Sequence, residues 1–296
     1  MRKIKIKSPS KINLGLKVIG RRDDGYHDVE TVFQMINLCD DVVLTESSYG
    51  ITLYSDCKDI PFDERNLAYR AAQLLLKETG IKKGVKIEIY KNIPISAGLG
   101  GGSSNAAVTL LGLNYVLDLQ LSRDELFPIA MSLGADVPFF LSGPQAFGTG
   151  RGDKLQNLSC KERFYILLLN PHIPISTAWV YENLNLELTK EMNNIKILKF
   201  MLERGEIEKV SGLLFNDLEA VVEKRYDIIK KMKLSLLSAG ALGVSMSGSG
   251  STVFGIFKDY HSAEQAGEWL KREKWDLFLT ESVMSLDKIY PWEVIV

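Results

Sequence analysis

The stretch PISAGLGGGSSNAAV, residues 94–108, constrains this chain more than any other. Gly98, Gly100, Gly101 and Gly102 remove side chains where the backbone must turn, so main-chain N–H groups can crowd inward at close range. Ser103 and Ser104 add hydroxyl donors. The run behind them predicts a helix from about Ser103 to Val116, whose positive end points back at the loop. This arrangement suits a phosphate, and three familiar phosphate loops fail the comparison. A P-loop needs a lysine directly after its glycines, and none is there. A dinucleotide fingerprint needs a third glycine where Ser103 stands, and Asp118 ends a helix rather than a second strand. The V-A-I-K, H-R-D and D-F-G motifs of protein kinases are missing. Taken alone, the motif fits a tight loop-to-helix junction as well as an anion site.

The 296 residues suffice for two ordinary domains, and 46% hydrophobic content is ample for a core. Lys+Arg 36 against Asp+Glu 37 argues against a nucleic-acid partner, which would need an excess of base. Cys39, Cys57 and Cys160 are widely spaced, which predicts reduced thiols rather than a disulfide framework or zinc site. The three histidines, His27, His172 and His261, form no metal motif. The amino-terminal alternation of lysine and isoleucine reads as a strand, not a signal peptide, and apolar runs are too short to span a membrane. The expectation is a cytoplasmic protein without membrane contact.

Period-two alternation predicts strands over about 2–7, 11–19, 40–46 and 84–90. GRRDDGYHD, residues 20–28, reads as a hairpin loop. Asn66 should cap a helix over 67–79 that Gly80 stops, and SRDE at 122–125 is a capping box opening a helix that ends at Gly134. The second half predicts a strand at 164–169 and helices near 176–185, 189–203 and 217–237. A strand–turn–strand at 240–257, a helix at 262–273 and a strand near 276–284 follow. This irregular mixture indicates an α+β fold. The polar segment 150–163 is the expected boundary, dividing the chain into 1–157 and 158–296.

Three stretches share one order along the chain: SPSKINLGL at 8–16, PISAGLGGGSSNAA at 94–107 and GVSMSGSGSTVFGIF at 243–257. Together they resemble the GHMP kinase superfamily. RRDDGYHDVETVFQ at 21–34 and LGADVPFFLSGPQAFGTGRGD at 133–153 extend the likeness over essentially the whole chain. They are similar to the branch that acts on a cytidylated methylerythritol. The resemblance implies a two-domain fold, with an N-terminal domain like the second domain of ribosomal protein S5 and a ferredoxin-like C-terminal domain. It also implies ATP with Mg2+, and phosphoryl transfer to the sugar's 2-hydroxyl. Pro94, Ile95, Ser96, Ala97, Gly98, Leu99, Gly100, Gly101, Gly102, Ser103 and Ser104 would then hold ATP. Gly248 and Ser249 would support that loop. The metal ligands stay unassigned, with Ser103 the best protein contact.

Lys11 and Asn13 share one strand face because Ile12, Leu14, Leu16 and Val18 share the other. The pattern by itself favours a solvated face; the resemblance sets Lys11 beside the reacting hydroxyl and Asn13 on the substrate. Asp136 precedes Pro138 and reads as a helix N-cap on pattern alone, whereas the resemblance makes it the catalytic base. By the same resemblance Tyr26 stacks on cytosine and His27 bonds its polar edge. Tyr181, with Trp179 as the alternative, covers the opposite face, and Thr177 lies near phosphate or sugar. Other kinases of the superfamily, a nucleotide or sugar sensor and an RNA-binding protein are the rival readings. The DDGYHD loop, the Lys11–Asp136 pair and the balanced charge weigh against them in turn.

Overall fold

The computed structural model describes residues 2–185, 194–288 and 293–294. The chain opens with a long hairpin of β1 (Lys3–Arg21) and β2 (His27–Ser47), followed by β3 (Ile51–Ser55), α1 (Leu67–Thr79) and β4 (Gly84–Tyr90). Next come α2 (Gly101–Val116), α3 (Arg123–Leu133), the single turn α4 (Phe139–Ser142), β5 (Gln145–Thr149) and β6 (Lys154–Asn157). The second half runs β7 (Tyr165–Asn170), α5 (Thr177–Glu182), α6 (Ile195–Glu203), α7 (Ile207–Ser211), β8 (Phe215–Asn216), α8 (Glu219–Arg225) and α9 (Asp227–Ser238). It closes with β9 (Gly243–Met246), β10 (Val253–Phe257), α10 (Tyr260–Leu270), β11 (Asp276–Glu281) and β12 (Glu293–Val294). One sheet is ordered β12-β1-β2-β4-β3, with β5 and β8 paired onto β2 and β1; a second is ordered β11-β7-β10-β9.

Local chemistry sets the predicted helix ends. Asn66 accepts from the Ala68 N–H, and Gly80 closes α1 in the left-handed region at φ 68°. The Ser122–Glu125 capping box opens α3. The two strands expected at 2–7 and 11–19 are one strand. Register shifts at Pro9/Ser10, Asn13/Gly15 and Val18/Gly20 absorb the breaks in alternation, and Pro9, which has no N–H to donate, sits at such a bulge. For the same reason β2 begins well before the expected residue 40. The helix expected over 217–237 is two, because Tyr226 is extended at φ −129° and ψ 87°. The start of the helix expected at 189–203 lies outside the described residues, as does most of the C-terminal YPWEVIV.

Strand periodicity distributes the core. In β1, Ile4 and Ile6 pack under α1 and α2, Ile12 and Leu14 join a second cluster, and Leu16 and Val18 a third. Along β7, Ile166 and Leu168 face the cluster shared with Ile12, whereas Leu167 and Leu169 face the one under α9 and α10. The middle cluster therefore joins residues of both sheets. Lys11 and Asn13 are 4% and 2% exposed, so their strand face is buried too, and the solvated-face alternative does not hold. No helix among the described residues is long and apolar enough to cross a membrane.

One buried carboxylate ties the hairpin to the glycine loop. Asp40, fully buried at the bulged part of β2, accepts from the Asn92 and Ile93 N–H groups at 2.8 and 2.9 Å. It also accepts from Asn105 Nδ2 at 2.9 Å and pairs with Lys91 Nζ. Removing one partner of such a group strands the other's charge in the interior. Asp40→Ala is therefore expected to lower the unfolding free energy by about 3–5 kcal/mol. Urea denaturation followed by circular dichroism checks this, and a loss under about 1 kcal/mol would show that Lys91 finds another partner.

Candidate active site

The glycine loop sits between the two halves because glycine permits a backbone approach that a side chain would block. Gly98 has φ 78°, and a Cβ there would lie 2.0 Å from the Ser247 carbonyl oxygen. Ser247 Oγ donates to the Gly98 carbonyl at 2.9 Å, and the Thr252 N–H donates to Ala97. The Lys11 N–H donates to the Leu99 carbonyl at 2.9 Å, fixing the loop to β1. Helix α2 begins at Gly100, φ 71°, with no side-chain cap. Its first-turn N–H groups and positive dipole end are thus left to a ligand.

The loop lines a cleft of about 660 Å3, within the usual range for small-molecule sites. Pro94 through Ser103 all line it. Ala97 and Leu99 bury their side chains in the middle core cluster. Ser104 does not line the cleft: its hydroxyl accepts from Ser8 Oγ at 2.8 Å inside the protein, and its N–H donates to Gly100. The helical period turns Ser104 inward while Ser103 faces out. Gly248 and Ser249 border the same cleft.

A second cavity of about 750 Å3 holds Tyr26, His27, Thr177 and Tyr181, and it shares Ser103, Asp136, Arg151, Thr177 and Tyr181 with the first. Where the two meet, Lys11 Nζ lies 3.8 Å from Asp136 Oδ2 and donates to Asn13 Oδ1 at 2.7 Å. Asn13 is oriented in turn by donating to Thr31 Oγ1 at 2.8 Å. Burial lowers the Lys11 pKa from its ordinary 10.5, and Asp136 opposes that shift. Asp136 does not cap α4, whose N-cap is Pro138 without a side-chain bond. It stands in the preceding turn, with its carboxylate about one-third exposed. An acid and an amine beside a glycine loop that opens a helix can accept a proton and steady developing negative charge.

The aromatic residues of this cavity pack against neighbouring side chains. Tyr181 stacks on His27, ring centroids 4.9 Å apart, and Tyr26 carries the Arg151 guanidinium 5.1 Å from its ring centre. Burial and the Asp136 charge push the Tyr181 hydroxyl pKa up; burial lowers that of His27. Thr177 Oγ1 lies 2.7 Å from Ser249 Oγ, joining α5 to the late turn. Trp179 lies elsewhere, against Arg225 and Tyr226.

Several lining residues escape sequence reasoning. Arg151, which borders both cavities, belongs to a segment that reads as a polar linker. Ile60, Pro61 and Leu67 give the first cavity an apolar wall, the kind of surface a nucleobase packs on. Lys91 lines it as well, and a Cβ on Gly101 would lie 3.3 Å from its Nζ. Its signal, a lysine between a strand and the glycine loop, says nothing of burial. Among the described residues no group of three or more His, Cys, Asp or Glu could hold a metal.

Comparison with known proteins agrees in sequence and shape. Residues 66–144 match the model for the GHMP kinases N terminal domain, and residues 198–276 match GHMP kinases C terminal. The chain is 45% identical to 4-diphosphocytidyl-2-C-methyl-D-erythritol kinase of Syntrophotalea carbinolica, covering 93% of this chain and 98% of that one. A crystal structure of 4-(cytidine 5'-diphospho)-2C-methyl-D-erythritol kinase superposes with TM-score 0.82 and 35% identity, over 94% of this chain and 98% of that one. Homoserine kinase from Cytophaga hutchinsonii superposes with TM-score 0.79 at 22% identity, over 99% and 97% of the two chains, a likeness of fold.

Because Gly98 combines left-handed backbone with a contact no Cβ tolerates, Gly98→Ala must displace the loop. At about 1–3 kcal/mol of strain, nucleoside triphosphate affinity should fall roughly ten- to hundredfold. Isothermal titration calorimetry with ATP checks it; an unchanged dissociation constant would mean that the loop does not bind the triphosphate.

Proposed function

The chain belongs to the GHMP kinase family, and from that premise we propose that it moves the γ-phosphoryl group of ATP to the 2-hydroxyl of 4-diphosphocytidyl-2-C-methyl-D-erythritol. This is a cytosolic step of the non-mevalonate route to isoprenoid precursors. The observation that carries the reading is the meeting of Lys11 and Asp136, 3.8 Å apart, where the glycine-loop cavity and the aromatic cavity join.

In this reading the α2 entrance and the loop amides take the ATP phosphates, and the Ile60–Pro61–Leu67 wall takes the adenine. The donor set, a Ser103 hydroxyl without a carboxylate cluster, suits a hydrated Mg2+ held mainly by the phosphates. When bound, that ion neutralises charge on the phosphate oxygens. Asp136 orients the tertiary alcohol and accepts its proton as the oxygen bonds to phosphorus and ADP departs. Lys11, held by Asn13, keeps its ammonium beside the forming alkoxide and the moving phosphoryl group. Cytosine goes to the lobe of Tyr26, His27 and Tyr181, where stacking supplies affinity and edge hydrogen bonds supply selection. Arg151, between the lobes, suits the substrate's diphosphate. The two units are taken as 1–157 and 158–296.

The direct test is ADP release with the cytidylated and the uncytidylated sugar alcohol; equal rates with both would remove the cytidine-binding role. Asp136→Asn should cut kcat by about 10²–10⁴ with ATP affinity little changed. Near-normal turnover would take Asp136 out of the mechanism. The charged form of Lys11 is the useful one, so activity should fall as pH rises through its folded pKa. Burial sets that fall below the ordinary 10.5. Lys11→Arg, which stays charged, should abolish this alkaline limb; a limb that persists belongs to another group.

A further inference from the structure

In the motif FNDLE, residues 215–219, Asn216 reaches the late glycine–serine turn and Glu219 reaches the end of β9 that leads into it. Asn216 is 6% exposed on the short strand β8, which pairs in parallel with β1 at Gly15 and Leu16. Its Nδ2 donates to two carbonyls at once, Met246 at 2.8 Å and Gly248 at 2.7 Å. Its Oδ1 accepts from the Leu218 N–H at 2.9 Å. Glu219, at the start of α8, reaches the same residue, Met246, through the preceding peptide. Its Oε1 accepts from the Met246 N–H and from Ser245 Oγ, both at 2.6 Å, while its Oε2 pairs with Lys233. Met246 is thus held by both its carbonyl and its N–H.

What this grip controls is the seat of Gly248. A Cβ on Gly248 would lie 3.1 Å from Lys11 Nζ, 3.1 Å from the Gly98 carbonyl oxygen and 3.5 Å from Asn13 Oδ1. The main chain at Gly248 therefore lies close to the ammonium of Lys11, a residue only 4% exposed. We infer that Asn216 and Glu219 are positioning residues: they clamp the main chain on both sides of Met246 and thereby hold Gly248 against Lys11. The inference rests on the proposed role of Lys11. Neither side chain touches the reacting groups; both act through the turn.

The surroundings of Lys11 make the effect readable. Among the described residues, the charged group bearing on it is Asp136, from the turn before α4. The facing parts of β2 supply Thr31 and Phe33, and the 98–100 loop and the 247–252 turn carry no charge. Loosening the turn admits water without changing the local charge, so the ammonium's titration moves back toward that of free lysine.

The test compares Asn216→Ala, Glu219→Ala and Glu219→Gln in the full chain. For the two alanine variants kcat should fall roughly ten- to hundredfold, the scale of a small misplacement at a reacting centre, with both KM values nearly unchanged. The alkaline limb of kcat should move to higher pH, and NMR of 13Cε-labelled lysine should show Lys11 titrating later. Glu219→Gln keeps an acceptor for the Met246 N–H and should stay close to wild type. If the alanine variants fold and keep wild-type kcat and Lys11 titration, the inference is wrong. Loss of the folded state in both would mark the pair as structural and equally overturn it. Full activity in Lys11→Met would instead refute the role of Lys11 and is scored separately.

Discussion

Everything at the cleft depends on two turns from distant parts of the chain lying closer than side chains allow. The Gly98 carbonyl, the Ser247 hydroxyl and the Gly248 main chain meet over Lys11. Glycine gives the contact its geometry; the surrounding protein supplies the force. Gly98 and Gly248 both adopt positive φ, at 78° and 56°, a region where other residues pay a steric penalty. The contact joins the first sheet's loop to the second sheet's β9–β10 turn. The glycine loop is therefore held from both halves of the chain.

One buried lysine, Lys11, and one partly buried lysine, Lys91, are handled in different ways, and the difference follows from what surrounds them. Lys91 has the fully buried Asp40 as its partner, and Asp40 is further satisfied by two backbone N–H groups and Asn105. That is a closed structural pair, holding loop and helix to the hairpin. Lys11 has a longer contact to a carboxylate that remains partly exposed, and its nearest acceptor is the neutral amide of Asn13. A buried cation with an incomplete partner set is poorly placed for stability. It is well placed to meet negative charge that arrives with a ligand.

The two cavities differ in the way this division of labour requires. One is walled by main-chain amides and an apolar surface, and the other by aromatic rings with an arginine between them. They share few side chains, and those few include the acid, Asp136. In the proposed reaction, a substrate with a base at one end and an alcohol at the other would bring its alcohol to this junction while its base sits in the outer lobe. Selectivity and chemistry are then coupled through position.

Much of this was legible in the residues alone. The ends of α1 and α3 follow from Asn66, Gly80, Ser122 and Glu125, because caps are local hydrogen bonds made within a few residues. The anion-ready helix entrance follows from Gly98 to Ser103 for the same reason. The family motifs brought Lys11 and Asp136 into question together. Pattern could not say that the Lys11 face was buried, that Ser104 turned inward, or that His27 would occupy the face of Tyr181. Nor could it say that Arg151 bordered both cavities or that Asn216 would grip a turn thirty residues ahead. Those facts arise from contacts between segments far apart in the chain. Local alternation fixes which way a side chain points, and only the packing of one sheet against another decides what it meets there.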